Sequence, residues 1–256
     1  MTKFCKVSTR NHVLTVTLNR PERLNALHPP AHQELSDIFD DFANNDELWI
    51  AVITGEGRAF CAGNDLREQA KFDAVVFPEK GFGGITARFD LTKPLIAAVN
   101  GPAMGGGFEI ALACDLIVAS DKAIFALPEP RLGLAALAGG LQRLPRQIGT
   151  KRALGMILTG RTVAAQEAVA MGFVNEVVPH DDLMSAVDEW VNQILECAPM
   201  SVRASKDVVY KSLSMNSLEE SMTTPYDSVA QLIRSEDFKE GPRAFAAKRT
   251  PKWSGH

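Results

Sequence analysis

The chain has 256 residues, with 27 lysines and arginines against 31 aspartates and glutamates, giving a formal net charge of −4. Its 46% hydrophobic and 23% charged residues match an ordinary globular protein, long enough for one large core or two small ones. This balance argues against a basic nucleic-acid footprint or a polybasic membrane anchor, and 19 Gly with 14 Pro are too few for a disordered or fibrous chain.

The opening Thr2-Lys3-Phe4-Cys5-Lys6-Val7 lacks the apolar segment of a secretory leader. Residues 13–18 alternate as a strand does and are stopped by Asn19-Arg20-Pro21-Glu22. After Pro29-Pro30, Leu35, Ile38, Phe39 and Phe42 recur at helical spacing. Residues 49–54 form a continuous apolar run ended by Gly55-Glu56-Gly57, as expected of a strand buried on both faces. The same signature returns at Leu95–Val99 and, after a short helix, at Leu116–Ala119. No stretch reaches the ~18 consecutive apolar residues that span a bilayer. From about Lys151 the helical pattern dominates, and residues 173–178 alone still read as a strand there. Strands alternating with helices predict an α/β core with largely parallel sheets, here followed by a helical tail. Cys5, Cys61, Cys114 and Cys197 are scattered and form no CxxC pair, which points to free thiols in a reducing cytoplasm rather than a disulfide framework or a metal site.

Three segments set glycines or carboxylates directly after a buried strand. The first, Gly57-Arg58-Ala59-Phe60-Cys61-Ala62-Gly63-Asn64-Asp65-Leu66, suits an outward-facing backbone N–H and suits a tight loop equally well. In the second, Gly105-Gly106-Gly107-Phe108-Glu109, three glycines are costly at a helix start unless something must approach the backbone closely. A helix beginning there favours negative charge. The pattern is neither G-x-G-x-x-G nor a P-loop, and Glu109 reads either as a helix-start carboxylate or as a catalytic one. In the third, Pro128-Glu129-Pro130 holds a carboxylate on rigid backbone, as a catalytic acid or an ordinary turn requires.

Taken together, in order, these segments resemble the crotonase superfamily of enoyl-CoA hydratases and isomerases. The resemblance runs from Asn19-Arg20-Pro21 and Leu24-Asn25-Ala26-Leu27 to Glu240-Gly241-Pro242-Arg243. It includes Lys93-Pro94-Leu95-Ile96-Ala97-Ala98-Val99-Asn100-Gly101, Phe125-Ala126-Leu127-Pro128-Glu129 and Leu158-Thr159-Gly160-Arg161. Residues 81–89 and the ending at 244–253 look most like its carnitinyl-CoA dehydratase branch. The resemblance implies an α/β crotonase spiral of ββα units over residues 1–190, with a C-terminal helical trimerisation region over 191–256. It implies a homotrimer or a dimer of trimers.

It also implies reversible hydration and dehydration of an α,β-unsaturated acyl-CoA. The backbone N–H groups of Asn64 and Gly106 would form the oxyanion hole, and Glu109 would act as base on water with Glu129 as source of the α-proton. Ala62, Asp65 and Leu66, with Asn64 and Gly106, would meet the substrate or its CoA. Leu137 stands where glycine is usual, which makes it a candidate for lining the acyl pocket. Coenzyme A enters as part of the substrate, with no prosthetic group, no metal, no nucleic acid and no membrane partner expected. The alternatives are a double-bond isomerase, or a catalytically idle crotonase-fold binding or assembly module. The latter's RNA-binding form is disfavoured by the net charge of −4.

The histidines at 12, 28, 32, 180 and 256 fall outside these motifs and are read as surface or packing residues. Asp115 reads as a structural acceptor and Cys61 and Cys114 as inert thiols. Lys248 and Arg249 read equally as a solvated face or as partners of CoA phosphates.

Overall fold

The computed structural model describes residues 2–71 and 77–256. β1 (Cys5–Arg10) and β2 (Val13–Leu18) form an antiparallel hairpin turned through Asn11 and His12, both at positive φ. Next come α1 (Pro29–Asn44), β3 (Ile50–Gly55), the one-turn α2 (Leu66–Gln69) and β4 (Leu95–Val99). β5 (Ala103–Met104), α3 (Gly106–Ala113), β6 (Leu116–Ser120) and β7 (Ile124–Ala126) follow. Then the chain forms α4 (Gly140–Ile148), α5 (Thr150–Thr159), β8 (Val163–Ala164), α6 (Ala165–Met171) and β9 (Glu176–Val178). It ends in α7 (Leu183–Leu195), α8 (Pro199–Ser212), α9 (Leu218–Thr223), α10 (Asp227–Arg234) and α11 (Glu236–Ala246).

The main sheet has the order β1-β2-β3-β4-β6-β9, with every pair beyond the hairpin parallel. Every residue of β3 and β4 is buried. Side chains alternate along a strand, so Ala51, Ile53, Ala97 and Val99 face a core shared with Leu35, Phe39 and Phe42 of α1. Ile50, Val52, Ile96 and Ala98 face a second core closed by Leu183, Val187 and Val191 of α7. The division expected at residue 190 thus falls inside a helix that covers the sheet.

A second sheet, β5-β7-β8, is small but decisive for the site. Its parallel β5–β7 pair sets Ala103 against Phe125 and Met104 against Ala126. Beneath it, Phe108, Phe125 and Phe173 meet with ring centroids 5.2–5.3 Å apart. The strands and helix expected from the sequence are present, although the run at 173–178 pairs as a strand over 176–178 only, with Phe173 turned into the core. All four cysteines are unbonded. Asp115 accepts from the Leu95 N–H and from Lys206, both at 2.7 Å. Arg249 is paired with Glu240.

Each ring of the aromatic trio meets both others, so truncating one removes contacts on two sides and leaves a cavity. Phe125→Ala is expected to cost about 3–5 kcal/mol, read as a lowered midpoint in equilibrium urea denaturation.

Candidate active site

The glycine-rich segments converge because the chain is threaded between two partners at residues 60–65. On one side, the N–H groups of Phe60 and Cys61 donate to Pro102 O and the Met104 N–H donates to Cys61 O. On the other, the Leu27 N–H donates to Gly63 O and the Asp65 N–H to Leu27 O, both at 2.8 Å. Successive peptide groups of an extended segment point to opposite sides, so the Asn64 N–H between those two bonds faces away from Leu27. Gly63, at φ +88°, brings this backbone against the start of α3: a Cβ there would lie 3.0 Å from the Gly106 nitrogen.

The three glycines at 105–107 each answer a contact. A Cβ on Gly107 would sit 2.0 Å from the Cys61 carbonyl oxygen, and one on Gly106 would sit 2.4 Å from the Phe82 ring. Gly105, at φ +53°, has the Glu129 carboxylate 2.8 Å from its Cβ position. The N–H groups of the first turn of α3 have no acceptor within the helix. Among the described residues, neither the Asn64 nor the Gly106 N–H has a hydrogen-bond partner. Two free main-chain donors therefore lie side by side, one on the loop and one at the positive end of a helix dipole.

Glu129 reaches this point through the β5–β7 pairing. The Gly105 N–H donates to Ala126 O at 2.9 Å, and the chain then turns at Pro128 into a 3-10 turn, Glu129–Leu132. Its Oε2 is buried without a hydrogen-bond partner among the described residues, and burial raises its pKa. Glu109 lies one helical turn beyond Gly105 on the same face of α3 and is 3% exposed. Its Oε1 accepts from the Gly140 N–H at 2.8 Å. Burial pushes its pKa up to about 7, and the charge of Glu129 adds to this. The Gly140 N–H and the Arg143 guanidinium act in the opposite direction.

The other expected site residues lie around this centre. Asp65 caps α2 and pairs with Arg20 at 3.1 Å, so its side chain is committed to holding the loop. Ala62 is part-buried, and Leu66 is exposed on the first turn of α2. Leu137 is 74% exposed and stands at the surface three residues before Gly140. Cys61 lies beneath the loop, donating to Asn25 O and accepting from the Gly63 N–H. Burial raises its thiol pKa to about 12. Burial also raises that of Cys114, and neither thiol is nucleophilic there.

Sequence reading passed over one neighbour of the site and placed another among the surface or packing histidines. Arg143 bears on Glu109, and His32 is wholly buried against Phe82. Among the described residues there is no group of three or more His, Cys, Asp or Glu placed to hold a metal ion, and no helix is long and apolar enough to cross a membrane.

Residues 8–256 match the enoyl-CoA hydratase/isomerase family. The chain is 42% identical over 262 residues to carnitinyl-CoA dehydratase of Proteus mirabilis, covering all of both chains. It is 42% identical over 255 residues to carnitinyl-CoA dehydratase of Escherichia coli O157:H7, covering 96% of this chain and 97% of the other. The structure superposes on enoyl-CoA hydratase from Mycobacterium tuberculosis with a TM-score of 0.93 at 37% identity, covering 99% of each chain. Against enoyl-CoA hydratase from Bacillus anthracis the TM-score is 0.90 at 34% identity, covering 99% of this chain and 100% of that one. The fold is that of the crotonases, as the resemblance implied.

The raised pKa of Glu109 links the site to stability. Its proton is held more tightly in the folded than in the unfolded chain, so its stabilising contribution is complete below about 4.5 and is lost as pH rises through about 7. Glu109→Gln keeps an acceptor for the Gly140 N–H but cannot ionise. Its stability relative to the native protein is expected to climb between pH 4.5 and about 7, measured by urea denaturation at constant ionic strength. A difference that stays flat with pH would remove the buried-carboxylate assignment.

Proposed function

The chain belongs to the enoyl-CoA hydratase/isomerase family, and we propose that it adds water to, and removes it from, the α,β position of an acyl-CoA thioester. The observation that carries this reading is the meeting of two carboxylates with raised pKa, Glu109 buried and Glu129 part-buried, with two backbone N–H groups that have no partner among the described residues. An isolated helix-start glutamate needs neither the second carboxylate nor the free donors.

In this reading the thioester oxygen accepts from the N–H groups of Asn64 and Gly106. When a nucleophile adds at Cβ, the π electrons move onto that oxygen, and the enolate charge is met by fixed donors. Removing one such donor typically costs ~3 kcal/mol of transition-state stabilisation. Hydration then needs a base for the water proton and an acid for Cα. Ionised Glu109 takes the proton of a water whose oxygen bonds to Cβ, and protonated Glu129 delivers a proton to Cα. The proton count of the pair is unchanged, with the proton passing from one carboxylate to the other.

Dehydration runs the same steps in reverse: ionised Glu129 removes the α-proton, and protonated Glu109 protonates the departing hydroxyl. The charge of Glu129 raises the pKa of Glu109, so ionisation of one disfavours ionisation of the other. The two residues titrate as a coupled pair, and each direction leaves the site ready for its reverse. The carnitinyl-CoA dehydratase relatives make carnitinyl-CoA the first substrate to test. The backbone around Ala62, Asp65 and Leu66 would receive the CoA moiety, and exposed Leu137 would meet the acyl group at the mouth of the site.

The exposed Leu213, Leu218, Met222 and Phe245 on the C-terminal helices support association of like chains into a homotrimer or a dimer of trimers. Four unbonded cysteines support a reducing, cytoplasmic setting.

Glu109→Gln and Glu129→Gln are each expected to lower turnover by about 10²–10⁴-fold while acyl-CoA binding persists. This is read from enoyl-thioester absorbance with crotonyl-CoA, carnitinyl-CoA and its dehydrated product, and from calorimetric binding. Full turnover in either variant would overturn the two-carboxylate mechanism. Conversion of a 3-enoyl-CoA without a hydrated product would replace it with isomerisation.

A further inference from the structure

His32 lies on α1 and is 1% exposed, and no step above uses it. Its ring stands edge-on to Phe82 at 4.5 Å and to Phe77 at 5.3 Å. Phe82 is the ring that lies over Gly106. The Gly83 N–H donates to His32 Nδ1 at 3.0 Å. A peptide nitrogen can only donate, so Nδ1 presents its lone pair and the proton of the neutral ring is on Nε2. Burial favours that neutral form, pushing the pKa down to about 4.

Nε2 is itself buried and has no hydrogen-bond partner among the described residues. An N–H left in that condition costs roughly 1–3 kcal/mol. Its polar neighbour is the Asn64 side chain. The Asn64 Nδ2 donates to Gln69 Oε1, which leaves the carboxamide oxygen as the acceptor that Asn64 can offer. One buried ring thus bears on both halves of the donor pair, on Gly106 through Phe82 and on Asn64 through its own unpaired N–H.

We propose that His32 is a positioning residue for the oxyanion hole: its Nε2–H takes the Asn64 carboxamide oxygen as partner when a thioester is bound, and so fixes the Asn64 peptide N–H at the substrate carbonyl. The inference rests on the reading of Asn64 as an oxyanion donor. That bond strengthens as charge builds on the carbonyl oxygen, so it acts on the transition state more than on ground-state binding, and its loss falls on kcat more than on KM.

Two variants of the full chain test this. His32→Phe keeps an aromatic ring and removes both nitrogens, whereas His32→Gln keeps an N–H donor near the Nε2 position. With carnitinyl-CoA or crotonyl-CoA, His32→Phe is expected to lose roughly 10- to 100-fold in kcat with KM little changed, and His32→Gln to recover most of that loss. Imidazole nitrogen NMR on the native protein should show the Nε2–H tautomer. The Nε2 proton should move downfield on adding acetoacetyl-CoA, a thioester with no 2,3-double bond to hydrate in its keto form. Native kcat in His32→Phe, no rescue by His32→Gln, or an Nε2 proton unmoved by acetoacetyl-CoA would each overturn the role of His32. If the native protein neither binds nor turns over any acyl-CoA, the functional reading itself fails and takes this inference with it. Native turnover with an indifferent His32→Phe would remove His32 alone.

Discussion

The site depends on how closely two stretches of main chain approach. The Cys61 carbonyl lies so near the α-carbon of Gly107 that a methyl group there would overlap it at 2.0 Å. That contact presses the loop after β3 onto the first turn of α3, and the Cys61–Ala103 bridge holds it in place. Everything chemically useful follows from the approach. The Asn64 and Gly106 donors become neighbours, and the helix dipole adds to one of them. Gly105 is left open for the Glu129 carboxylate. The large buried sheet is the platform that makes the approach rigid, with α1 filling one face and α7 the other.

Around that approach the protein arranges opposed electrostatics. Backbone N–H groups and a helix start favour negative charge, while burial of both glutamates disfavours it. The two tendencies act on different atoms. Donors surround the place where substrate charge would develop, and burial weighs on the carboxylates that would exchange protons. Gly140 and Arg143 moderate the second effect at Glu109, leaving it titratable near neutrality rather than locked in one state.

Much of this was legible in the residues. β3 and β4 announce themselves as unbroken apolar runs because both faces are covered, and the glycine triplet signals a close contact before the contacting atom is known. Other parts were silent for physical reasons. β5, β7 and β8 are two or three residues long and show no periodicity, yet they carry Glu129 to Gly105. The antiparallel β1 turns outward all its residues but Cys5, so it lacks a core pattern. α7 reads as part of a helical tail, and only its packing on Trp49, Ile96 and Val118 assigns it to the sheet. His32 is a lone histidine on an apolar helix face, and its significance lies in the N–H of Gly83, 51 residues away. Asp115 is the opposite case, since its structural reading survives in the bonds to Leu95 and Lys206.

The main-chain origin of the two donors has an evolutionary consequence. An N–H belongs to every residue type except proline, so replacement of the side chain at 64 leaves that donor present, and the donor at 106 can be lost only by disturbing the backbone path. The carboxylates have no such protection, because each is erased by a single codon change. A lineage can therefore discard or relocate its buried carboxylates one at a time while it keeps the paired main-chain donors intact. Under mutation, the scaffold is conservative in its donors and free in its carboxylates.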